Sequence, residues 1–174
     1  MFRVWSVAVE ALGLMPFMQG EWWNPSEIIA MTCREFELTF DVPAVPVAQP
    51  RQKHAMIGGH LRNYTPTKHP VNAFKASCRT AASAVYDGPP LRVALRLTLT
   101  FLLPRPIAMF WKKKDMPRVP HTKKPDIDNL SKSVKDALSN LVWHDDSLIS
   151  HLNATKFIAS GYEQPHVRVK VEVI

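Results

Sequence analysis

A chain of 174 residues, 46% hydrophobic and 21% charged, is long enough for one domain with a sizeable core and too apolar for intrinsic disorder. Twenty-two Lys and Arg against fifteen Asp and Glu leave a formal charge of +7, which favours a polyanionic partner. Two cysteines, Cys33 and Cys78, with no C-x-x-C pair exclude a disulfide scaffold and a zinc ribbon, and the apolar run from Val7 to Met18 is too short and too interrupted, by Glu10 and Pro16, to cross a bilayer.

Residues 1–34 read as an N-terminal extension. They hold three of the five tryptophans (Trp5, Trp22 and Trp23) at a net charge of −1, with Met31 as an alternative start. A domain over residues 35–174 follows. Its first strand is marked by Phe36, Leu38, Phe40 and Val42 alternating with Glu37, Thr39 and Asp41. Pro43, Pro46 and Pro50 end it, and the stretch to Pro70 reads as a polar, glycine-containing loop whose Arg51, Lys53, His54, His60, Arg62 and Lys68 suit phosphate contacts. Val71, Phe74, Cys78, Ala81 and Val85 recur at helical spacing, and Asp87-Gly88-Pro89-Pro90 stops that helix. Apolar residues at every odd position from Leu91 to Leu103 predict the next strand. The segment up to Pro125 is too rich in proline for regular structure. Ile127, Leu130, Val134, Leu138 and Leu141 then predict a second helix with Asp126, behind Pro125, as its N-cap. Two strands, Leu148 to Ile158 and His166 to Ile174, close the chain. The order β-α-β-α-β-β implies a small α/β domain, a mixed sheet of about four strands with two helices against it.

Chemistry concentrates around the second helix. From Arg105 to Lys135 there are nine positive and three negative residues, so nearly the whole basic surplus stands here. Lys112, Lys113, Lys114, Lys123 and Lys124 would neutralise phosphates and release counterions. A solvated charge run is the competing reading, but this one abuts carboxylates: Asp126 and Asp128, then Asp145 and Asp146. Two residues apart, Asp126 and Asp128 point the same way only if Asp126 precedes the helix and Asp128 lies in its first turn. A short turn after the helix would return Asp145 or Asp146 towards them. Three carboxylates brought together need a cation, and hard oxygen donors with room for water suit Mg²⁺, or Mn²⁺ in its place. Such an ion activates water for attack on phosphate, and Lys132, one turn beyond Asp128, adds a fixed positive charge for that chemistry. Taken singly, each residue also has a structural reading: Asp126 as a cap, Asp128 and Lys132 as a surface pair, Asp145 and Asp146 as turn residues.

The run Lys124-Pro125-Asp126-Ile127-Asp128-Asn129-Leu130-Ser131-Lys132, followed by Trp143-His144-Asp145-Asp146, resembles the signature of the RusA family of Holliday-junction resolvases. The likeness extends from about Phe36 to the end of the chain. It implies a RusA-like fold, Mg²⁺ at Asp126, Asp128 and Asp146, and a catalytic role for those three together with Lys132. It further implies a cytoplasmic homodimer of bacterial or phage origin that makes paired cuts in four-way or related branched DNA, in recombination and repair. The loop after the first strand, Pro43 to Arg51, departs from the family's usual basic pattern and keeps little beyond proline and Arg51. A branched-DNA-binding protein without cleavage is the alternative, and intact Asp126, Asp128, Asp146 and Lys132 argue against it.

Overall fold

The computed structural model describes residues 36–50, 53–57, 60–64 and 68–174, with side chains for 36–50 and 68–174. The expectations for residues 1–34, including Cys33 and the start at Met31, lie outside the described residues, as does Arg51.

One twisted sheet forms the floor, made of β1 (Glu37–Val42), β4 (Leu95–Leu103), β5 (Val119–Pro120), β6 (Ile149–Ile158) and β7 (His166–Val173) in the order β1-β7-β4-β6-β5. β7 lies antiparallel between β1 and β4, whereas β4 and β6 run parallel. The alternation seen in the sequence has a direct physical outcome, because successive side chains of a strand face opposite sides. Leu38, Phe40, Val42, Leu95, Leu97, Leu99, Phe101, Val167, Val169 and Val171 are all buried on one face. The opposite face is polar, and there Arg168 holds Asp41 through two bonds of 2.8 Å while Lys170 lies 3.0 Å from Glu37 and 3.2 Å from Glu172.

Two helices cover the apolar face. α1 (Pro70–Ser83) starts on Pro70, with its fixed φ, behind His69, whose Nδ1 accepts the Val71 N–H at 3.2 Å. It buries Val71, Phe74, Cys78 and Ala82, so the stripe passes through Ala82 rather than Ala81, and Val85 lies beyond the helix in solvent. Burial pushes the Cys78 thiol up to about 12, which leaves it an inert core residue. α2 (Ile127–Leu138) buries Leu130, Val134, Ala137 and Leu138, and Lys75 on α1 reaches Asp136 on α2 at 2.9 Å.

The structure corrects three expectations. The polar stretch after Pro50 contains an antiparallel hairpin, β2 (Lys53–Ile57) with β3 (His60–Tyr64), joined at Gly58-Gly59. Flanks without apolar alternation concealed the strands in the sequence. The proline-rich segment holds a 3-10 turn, Ile107–Met109, and the two-residue β5, which raises the sheet to five strands. The long strand starts at Leu95, and Leu91 instead forms an isolated bridge to Trp143.

Candidate active site and nucleic-acid interface

α2 is the crossover between the parallel strands β4 and β6, so it runs back over the sheet, opposite in direction to both. Its N-terminus therefore stands at the carboxyl ends of the two parallel strands, where open α/β sheets place their sites. The entry to the helix is held from below: the half-buried Lys156 of β6 donates to the carbonyls of Lys123 and Pro125, each at 2.7 Å. The peptide between Lys124 and Pro125 is cis. The chain then turns into the helix at Asp126, and Leu130 N–H donates to the Asp126 carbonyl at 3.1 Å.

Asp126 occupies the N-cap position, yet its carboxylate makes no capping hydrogen bond. Asp128 lies in the first turn, where the helix dipole favours a negative charge, and both aspartates are exposed. One turn further on, Lys132 is exposed and forms no ion pair among the described residues. From the other side, Gln49 N–H donates to the Asn129 carbonyl at 2.9 Å, so the loop leading to Arg51 docks on this first turn. The local arrangement of Asp126, Asp128 and Lys132 is thus the expected one, and the structural reading of Asp126 as a cap is not realised by its side chain.

Asp146 stands elsewhere. α2 ends at Ser139 and Asn140, whose φ of 61° turns the chain back, and Asn140 N–H donates to the Trp143 carbonyl at 2.7 Å. The buried Trp143 donates its indole N–H to Asp146 at 2.9 Å. Asp146 is therefore fixed at the C-terminal end of α2 and the start of β6. From Asp128 to the last helical residue, Leu138, the helix advances about 15 Å at 1.5 Å per residue, and Asp146 lies beyond that end. The two aspartates of the 145–146 pair also differ. Asp145 accepts the Ser147 N–H at 2.8 Å and serves as a local cap, and hydrogen bonding from Ser147, from its side chain first and its N–H second, holds the Asp145 carboxyl below the ordinary value. Among the described residues, no three His, Cys, Asp or Glu side chains stand close enough to hold a metal ion. The structure brings Asp126 and Asp128 to one end of α2 and Asp146 to the other, so the three-carboxylate set does not fit a cation within one chain.

The basic segment divides into structural and free charges. Arg105 is buried at 7% exposure, donating to the carbonyls of Ala159 at 2.9 Å, Met109 at 3.4 Å and Pro117. Arg118 pairs with Glu163, with one bond at 2.9 Å. Counting these two in the phosphate-binding run overstated it: they fold the segment, and what they fold is an exposed loop. On that loop Lys112, Lys113 and Lys114 are exposed, as are Lys68, Lys123 and Lys124 elsewhere. Lys53 falls on β2. The loop also exposes Phe110 at 51% and Trp111 at 44%, two aromatics immediately before the lysines, which the sequence reading passed over as part of an irregular segment. Their signal was present in the sequence, since aromatics beside a lysine run match the composition of single-strand nucleic-acid grooves. Lys156 was missed as well, and no sequence signal marked it. His121, close by, is held below its ordinary pKa by burial first and by Lys156 second.

No helix among the described residues is long and apolar enough to cross a membrane. Residues 43–172 match the family model described as endodeoxyribonuclease RusA. The chain is also similar to a Bacillus subtilis (strain 168) protein named "Uncharacterized protein YqaN", at 31% identity over 147 residues that cover 79% of this chain and 96% of that protein.

Proposed function

The chain belongs to the RusA endodeoxyribonuclease family, and from that premise we propose that it resolves Holliday junctions and related branched DNA by paired phosphodiester cleavage, as a homodimer dependent on a divalent cation. As a member it is a hydrolase acting on DNA, in a family that acts on branched junctions. The observation that carries the finer reading is the exposed carboxylate pair at the N-terminus of α2, in which Asp126 leaves its cap position without a capping bond and both face solvent beside unpaired cations. Oxygen donors of this kind suit Mg²⁺ with Mn²⁺ as a substitute, and such an ion supplies activated water and charge neutralisation at phosphate. Asp126 and Asp128 are the donors that one chain offers there, with Asp146 as the third by family resemblance.

The remaining roles belong to the protein's own side chains. Lys132 places a fixed charge one turn from Asp128, where it stabilises negative charge developing on a phosphate. Lys156 orients the loop that presents Asp126. Lys112, Lys113, Lys114, Lys123 and Lys124, with Lys53, Lys68 and Arg51, contact the backbone, and these contacts position the DNA without reading its sequence. Phe110 and Trp111 offer faces on which bases unpaired at a branch point stack.

An immobile synthetic four-way junction and a linear duplex of the same sequence, each with Mg²⁺ or EDTA, test this reading. Nicks confined to the junction, symmetrical and dependent on the cation, are expected, and Asp128→Asn is expected to abolish them while keeping junction binding. Tight binding without nicks in either Mg²⁺ or Mn²⁺ would refute it. The separation of Asp146 from Asp126 and Asp128 is the one observation that favours that second reading, a branched-DNA-binding protein without cleavage.

A further inference from the structure

Among the Phe, Tyr and Trp residues whose side chains are described, all but three are buried or half-buried. The three exposed ones, Phe110 at 51%, Trp111 at 44% and Tyr162 at 93%, come from two separate connections, the loop after β4 and the turn between β6 and β7. The fold joins these connections. Arg105 donates to the Ala159 carbonyl at 2.9 Å, Arg118 pairs with Glu163, and Gly161 N–H donates to the Met116 carbonyl at 3.0 Å. Met116 is the pin between them. Its sulfur accepts the Trp111 N–H at 3.4 Å, and its side chain packs so closely on Gly161 that a Cβ there would collide with it. The backbones of Trp111 and Gly161, the neighbour of Tyr162, thus meet on one methionine. Three exposed lysines, Lys112 to Lys114, follow Trp111 directly, against one exposed carboxylate, Asp115, while Glu163 is engaged by Arg118. β4 and β6 run parallel and end in register, Leu103 beside Ile158, so both connections leave the sheet at the end where the N-terminus of α2 carries Asp126 and Asp128.

Resting on the nuclease reading above, we propose that Phe110, Trp111 and Tyr162, with Lys112 to Lys114, form a subsite for a single-stranded stretch of DNA, so that branched DNA with an unpaired arm is preferred over a fully paired four-way junction. The two forms of DNA offer this surface different chemistry. A duplex keeps its base faces in its own stack and presents phosphates, which the lysines meet in either form. A single strand presents phosphates and free base faces together, and each unstacked base gains by lying on an aromatic ring. Phosphate contact alone has no use for three exposed rings, and a purely apolar partner has no use for three lysines. The combination fits an unpaired strand, and its place at the carboxylate end of the sheet sends a strand held there towards Asp126 and Asp128.

Fluorescence anisotropy of labelled oligothymidylate about ten nucleotides long, with the full chain, tests the subsite. Phe110→Ala, Trp111→Ala and Tyr162→Leu are each expected to lower its affinity about 10-fold, with a smaller loss for a duplex of the same length. The plot of log affinity against log salt should keep its slope, because rings are removed and charges are not. Tyr162→Phe, which keeps the ring, should retain the affinity that Tyr162→Leu loses, and thermal melts of these exposed positions check the fold. Equal losses for single strand and duplex, or none for either, overturn the subsite. A junction with one single-stranded arm should be cut by the wild type at lower enzyme concentration than a fully paired one, and Tyr162→Leu should lose that preference. A wild type without the preference overturns the substrate assignment. One that binds oligothymidylate through these rings yet cuts neither substrate in Mg²⁺ or Mn²⁺ overturns the nuclease reading and leaves the subsite. One that cuts the paired junction but has no affinity for oligothymidylate overturns the subsite, gives the patch to an acidic peptide and leaves the nuclease standing.

Discussion

Lys156→Met is the most direct probe of how the α2 entry is held. The ammonium donates to two carbonyls at 2.7 Å, and methionine keeps the length of the side chain while removing the donor. A hydrogen bond to a charged group contributes about 1.5–3 kcal/mol when buried. One of these bonds is open to water and Lys156 itself is only half-buried, so the pair is worth about 2 kcal/mol in place of the buried sum of about 3–6. For a chain of this size that is a drop in Tm of about 4–8 °C, read by thermal melting. The effect on cleavage is larger. A displacement of about 1 Å at a reacting group costs as much as 100-fold, so the single-turnover rate on a junction is expected to fall about 10- to 100-fold while junction affinity changes little. Equal losses of binding and cleavage would make Lys156 a phosphate contact and refute its role as a positioning residue. An unchanged melt with an unchanged rate would refute the two hydrogen bonds themselves.

Replacing Lys112, Lys113 and Lys114 with alanine should weaken junction binding and flatten the plot of log affinity against log salt by about 0.9 for each phosphate no longer neutralised, up to about 2.7 for all three lysines. An unchanged slope would return that loop to solvent. Acid should weaken the fold through Asp41 and Glu163, whose carboxyls are held below their ordinary values of 3.8 and 4.5 by hydrogen bonds from Arg168 and Arg118. A folded-state value depressed below the unfolded one gives stability that is complete above the ordinary value and disappears as pH falls through the lowered one. Asp41→Asn should therefore melt about 2 °C below wild type at pH 7, as befits an exposed ion pair, and the gap should close as pH falls below the ordinary value of 3.8. A gap that stays constant across that range would show that the pair does not titrate with folding.

The parts of the fold legible in the sequence are those where one face is buried. β1, β4 and β7 alternate because the opposite face carries Arg168, Lys170, Asp41 and Glu37, and α1 and α2 show their stripes because each presents one side to the sheet. β5 was illegible for a physical reason, since a two-residue edge strand containing Pro120 has neither length nor pattern. β2 and β3 pair with each other in a separate two-stranded sheet, and their sequences, Lys53 to Ile57 and His60 to Tyr64, show no apolar alternation to mark them. At the site, the Asp126, Asp128 and Lys132 group was readable because it is local, one cap and one turn of helix. The place of Asp146 depends instead on the crossover. A helix linking parallel strands delivers the chain to the far end of the sheet, so the turn after Leu138 leads away from Asp126, and the 12-residue length of α2 already set that distance.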